Sequence, residues 1–168
     1  EIEINECAGC LDPISSTYDN DSSVHDGTDC EYTMTTVAEN MNRASSVFAA
    51  DVDGDGDMDV LSASFDHDEI AWHENVDGDF LTHEVTSGAD GAYSVHAADL
   101  DADGDMDVLS ASYFDDKIAW YENDGSESFT EHVITTSADG ARSVYAADVD
   151  GDGDMDMLSA FWEDNKIA

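Results

Sequence analysis

Basic residues are almost absent from this 168-residue chain: four lysines and arginines stand against 42 aspartates and glutamates, a formal charge of −38. Such a surface repels phosphate backbones and anionic lipid, so neither nucleic acid nor an acidic membrane is an expected partner. Proline occurs once, at Pro13, and the three cysteines all lie within the first 30 residues. No apolar run approaches the ~18 residues of a membrane-spanning helix, so membrane insertion is not expected. Aromatics are sparse at 9%, yet hydrophobic residues reach 41% and fall in strand-like patterns. That patterning argues against the disorder that high charge alone would suggest. The chain opens on Glu1 rather than methionine, so any secretory leader is expected to have been removed or to lie outside this sequence.

What the chain has in abundance is one acidic phrase, written three times. Asp51, Asp53, Asp55, Asp57 and Asp59 alternate with other residues, and position six of the phrase is Gly56. The same arrangement recurs as Asp99, Asp101, Asp103, Asp105 and Asp107 around Gly104. It recurs again as Asp148, Asp150, Asp152, Asp154 and Asp156 around Gly153. The copies start 48 and 49 residues apart, and Ser46–Ser64 differs from Ser94–Ser112 only at Phe48/His96, Val52/Leu100 and Gly54/Ala102. A fixed period of this length marks a repeated supersecondary unit.

One unit reads as four short strands. Ser94–Asp99 is rich in small residues, as an inner strand in tight space requires, and the acidic loop follows it. Met106–Tyr113 and Lys117–Glu122 are the second and third strands, with Ile118 and Trp120 on one face. The Asn123-Asp-Gly125 turn leads into the fourth strand, Phe129–Ile134. Four antiparallel strands in about 48 residues predict an all-β chain of tandem propeller blades. The expected units are about 46–85, 94–134 and 143–168, the last cut off in its third strand, with Tyr32–Val37 the closing strand of an earlier unit. Residues 1–31 are expected to form a separate cysteine-containing extension, apart from a strand-like Glu1–Ile4.

Loops, period and strand order together make Tyr32–Ala168 resemble the FG-GAP/VCBS repeat family, whose blades carry D-x-D-x-D-G-x-x-D between their first two strands. The resemblance implies structural calcium and an extracellular adhesive or scaffolding role. The residues support the same cation independently. Calcium accepts six to eight oxygen ligands, and positions one, three, five and nine offer carboxylates while position seven offers its carbonyl. Neither cysteine nor histidine lies in these loops, which disfavours zinc and copper, and magnesium demands a stricter octahedron. An EF-hand needs glutamate at position twelve and flanking helices; Ser62, Ser110 and Ser159 stand there instead. Two like charges 4 Å apart repel by about 1 kcal/mol in water and about 4 kcal/mol at a near-surface dielectric. Each empty loop should therefore store several kcal/mol, and calcium should act as a structural ion. An affinity on the order of 10⁻⁴–10⁻³ M is expected, as in extracellular modules.

The remaining conspicuous residues carry plainer expectations. Trp72 and Trp120 recur in the third strand, and Phe65, Tyr113 and Trp162 recur after the second; packing between blades is expected for both sets. His83 and His132 recur in the fourth strand as packing or edge residues. Cys7, Cys10 and Cys30 leave two readings open: a disulfide with one thiol left for an intermolecular bond, or a zinc site with His25. The extracellular setting implied by the resemblance favours the disulfide. Asn20-Asp-Ser22 is a glycosylation sequon. No nucleophile–base pattern is visible, so the expectation is a non-catalytic calcium-binding protein of the cell surface or matrix. Its partners would be other copies of itself, extracellular proteins or glycans. In one version the Glu1–Ile4 strand of a neighbour completes the cut blade and links protomers into a fibre. The alternative is a lectin-like or protein-binding propeller module of a larger secreted protein.

Overall fold

The computed structural model describes the backbone of Ile2–Ala8 and of residues 31–168, and side chains from Met34 onward. Thirteen strands and no helix are found among the described residues. β1 (Ile2–Ala8) pairs antiparallel with β2 (Glu31–Ala38). β3 (Ala44–Ala50), β4 (Asp59–Ser64), β5 (Glu69–Val76) and β6 (Asp79–Thr86) form a four-stranded meander. β7 (Ala92–Ala98), β8 (Asp107–Ser112), β9 (Lys117–Asn123) and β10 (Phe129–Thr135) repeat it. β11 (Ala141–Ala147), β12 (Asp156–Phe161) and β13 (Lys166–Ile167) make a third sheet in the same order. The expected all-β chain of tandem antiparallel sheets is what the structure shows.

Each inner strand begins two residues before its serine, because a bulge lets the ladder continue past Ser46, Ser94 and Ser143 to Ala44, Ala92 and Ala141. A bulge inserts one unpaired residue and bends the strand, so a period-two reading of the sequence stops short of it.

The amino-terminal strand differs from its expectation. Ile2–Ala8 is not a spare strand: it lies against β2 of its own chain, Ile4 opposite Thr35 and Cys7 opposite Tyr32. The register, including a bulge after Ile2, copies that of β5 against β6, where the bulge follows Ile70. β1 and β2 thus stand as the third and fourth strands of a preceding unit. Cys10, Cys30 and Asn20 lie outside the described residues, as does the side chain of Cys7.

Consecutive sheets pack face to face, and the core lies between them. Trp72, Ile70 and Leu61 of the first unit bury against Val95, Ala97 and Tyr121 of the second. Leu109, Ile118 and Ala111 of the second bury against Val144, Ala146 and Phe161 of the third. Small residues on the inner strands allow the close approach, and hydroxyls fasten it. The Val95 N–H donates to Ser46 Oγ and the Val144 N–H to Ser94 Oγ, each at 3.3 Å. A second fastening recurs at the opposite corner. Asp68 and Asp116 hold left-handed backbone (φ 58° and 53°), and each receives two amides of the next unit. Asp68 O accepts from Ala89 N at 3.0 Å and its Oδ1 from Gly91 N at 2.9 Å. Asp116 does the same with Ala138 and Gly140, at 2.9 Å each.

Candidate metal centres

Each acidic loop joins the first strand of a sheet to the second, so the repeat places all three at the same end of the stacked units. The loops fold on their own carboxylates. Gly56 N–H donates to Asp51 Oδ2, Gly104 N–H to Asp99 Oδ2 and Gly153 N–H to Asp148 Oδ2, each at 3.1 Å. These glycines sit at φ 100°, 104° and 101°, a region that side chains with a Cβ rarely enter. Position nine anchors the loop to the sheet. Asp59 Oδ2 accepts from Val52 N and its Oδ1 from Asn75 N, both at 2.9 Å. Asp107 accepts from Leu100 N and Asn123 N at the same distance.

Of the five aspartates in each loop, the structure gathers three. Oxygens of Asp51, Asp53 and Asp59 lie within 4.8 Å of one another, as do those of Asp99, Asp101 and Asp107, and those of Asp148, Asp150 and Asp156. The carboxylates at positions five and seven stay outside these groups. Asp55 Oδ1 instead accepts from Asp57 N at 2.8 Å, and Asp103 and Asp152 cap Asp105 and Asp154 in the same way.

The donor set fits a hard cation. Asp51 Oδ1 and Asp99 Oδ1 are buried with no hydrogen-bond partner, on residues whose carboxylates belong to these groups. Burial, and behind it the charges of Asp59 and Asp55, pushes the Asp53 carboxyl up. Burial likewise raises Asp107, with Asp101 and Asp103 adding to the effect against two backbone amides that oppose it. Such shifts register the cost of crowding anions without a counter-charge. The third loop is different. Its group is wholly exposed, and Asp148 Oδ1 is already satisfied by Gly151 N at 2.7 Å.

Sequence reasoning missed Asn75 and Asn123. Besides their amides, Asn75 Nδ2 donates to Met58 O at 3.2 Å. Asn123 Nδ2 reaches Met106 O at 3.2 Å and, across the unit boundary, Val52 O at 3.0 Å. The signal was the recurring Glu-Asn pair, Glu74-Asn75 and Glu122-Asn123.

The recurring aromatics divide. Trp72 is fully buried and Trp120 half-buried, and each stacks on a histidine of the fourth strand: Trp72 on His83 at 4.6 Å, Trp120 on His132 at 4.5 Å. Those histidines in turn meet Glu74 at 2.8 Å and Glu122 at 2.7 Å. Phe65 is buried, Tyr113 half-buried, and Trp162 is 60% exposed, so the expectation of core packing fails for Trp162.

An all-β chain of repeated four-stranded sheets, each with an aspartate-rich loop between its first two strands, defines a propeller-type repeat protein. The FG-GAP-like repeat family matches residues 51–110 and again 99–159, more than half of the chain. The chain belongs to that family. No curated protein matches it.

Proposed function

We propose that this chain is a non-catalytic, calcium-stabilised interaction module of an extracellular protein. FG-GAP-like repeats suggest a protein-binding propeller module, and the loops add the calcium. The observation that carries the reading is the pair of orphaned oxygens, Asp51 Oδ1 and Asp99 Oδ1, each within a cluster of three carboxylates. Leaving such groups buried and unpaired costs on the order of 1–3 kcal/mol each, which a bound cation removes. Asp51, Asp53 and Asp59 would hold one ion, and Asp99, Asp101 and Asp107 a second. Asp148, Asp150 and Asp156 would hold a third. Calcium would supply charge neutralisation there, and the aspartates the geometry. Isothermal titration should therefore show calcium binding to the full chain, with Asp51→Asn and Asp99→Asn each removing one site. An unchanged stoichiometry in either variant would refute the assignment.

A further inference from the structure

The end of the units opposite the acidic loops carries an aromatic surface that the calcium reading does not use. It is built where the second strand turns into the third and where one unit leads into the next. Phe65 meets Tyr93 at 5.9 Å and Phe114 at 5.1 Å, and Tyr113 meets Phe114 at 5.3 Å. The Arg142 guanidinium extends the row, 5.2 Å from the Tyr113 ring and 4.2 Å from Trp162. The patch therefore runs across three units. Phe114 lies in the middle unit and is 60% exposed.

All four basic residues of the chain sit at this same end. Arg43 and Arg142 lie where inner strands begin, Lys117 and Lys166 where third strands begin. Two of them pair with carboxylates and two lie over rings. Arg43 pairs with Asp66 at 3.0 Å, Lys117 with Glu131 and Asp115 at 3.1 and 3.3 Å, and Lys166 lies over Phe161. The charge presented around the rings is thus negative, with Asp90, Asp139 and Asp164 exposed. Partial desolvation raises the Asp139 carboxyl, and the charges of Asp116, Asp164 and Glu163 raise it further.

An aromatic and arginine centre with a charged surround is the composition of a protein-binding hot spot. The sign of that surround, and of the molecule, selects the partner and steers its approach. We infer that this surface binds a polypeptide segment in which an apolar or aromatic anchor is flanked by lysine or arginine. The inference rests on the protein-binding reading and specifies its partner.

The test uses the full chain in millimolar calcium and two labelled peptides, one alternating arginine with leucine and tryptophan, the other arginine with serine. The first peptide should bind the native protein about tenfold more tightly than it binds Phe114→Ser/Trp162→Ser, as truncation of hot-spot aromatics delivers. The serine peptide should not distinguish the two proteins. Asp139→Asn/Asp164→Asn keeps every ring and should also weaken the first peptide, so the inference does not hang on one variant's folding. Equal affinity for native protein and ring variant would overturn this surface while leaving a protein-binding module with its contact elsewhere. Displacement of the peptide by a neutral oligosaccharide would overturn the polypeptide assignment in favour of a sugar site.

Discussion

At the scale of single residues, burial sets the character of two side chains that look alike in sequence. His83 lies half-buried on Trp72 beside Glu74, whereas His73, on the other face of β5, is fully enclosed. Ser62 Oγ lies 2.9 Å from His73 Nε2, and Thr82 Oγ1 lies 2.9 Å from Nδ1. Burial, with the nearby His83 second, pushes the His73 imidazole down to about 4. The folded protein holds His73 neutral, and the unfolded chain protonates it near 6.5. Its contribution is complete above pH 6.5 and is lost as pH falls toward 4, up to about 3 kcal/mol in all. His73→Gln, which keeps a polar group between the two hydroxyls, should lower stability at pH 7 yet flatten its decline between pH 6.5 and 4. Parallel declines in native and variant proteins, read from urea midpoints, would contradict the assignment. The matching position in the next unit is Tyr121, whose hydroxyl lies 3.4 Å from Ser110, so the repeat keeps the polar contact while changing the group.

At the scale of elements, the acidic loop, the strand order and the unit period were legible, because each rests on short-range chemistry. Alternating carboxylates with glycine at position six predict a tight acidic turn, and alternating apolar residues predict strands. What the sequence could not show was set by contacts between units. The Asp68 and Asp116 latches join residues more than twenty positions apart, and nothing in a single unit marks those aspartates among forty-two acidic residues. β1 escaped because its partner strand follows a long intervening segment, so local patterning could not pair them. Trp162 shares its aligned position with buried Phe65, yet only contact with a neighbouring unit decides whether such a ring is covered. The latches give a direct test. A Cβ on Gly91 (φ 69°) would lie 2.8 Å from Phe114 Cδ2, and the left-handed backbone adds strain. Gly91→Ala should cost about 1–3 kcal/mol, measured by chemical denaturation. A stability within about 0.5 kcal/mol of native, the range of surface changes, would show that the junction yields freely.

At the scale of the whole molecule, our account requires the densest clusters of a chain of charge −38 to be neutralised before its sheets pack stably. The second and third loops even face each other across a depression of about 410 Å³ lined by Asp99, Asp101 and Asp154. Repulsion therefore acts between units as well as within them. The two cores hold consecutive sheets together by apolar contact, while the loop ends push them apart. Melting the full chain by calorimetry in millimolar calcium and again in excess chelator sets these forces against each other. Our account predicts a sharp transition with calcium and a markedly lower, broader one without it. Coincident melting curves would show that the aspartate clusters sustain the fold without a cation, and would contradict the account.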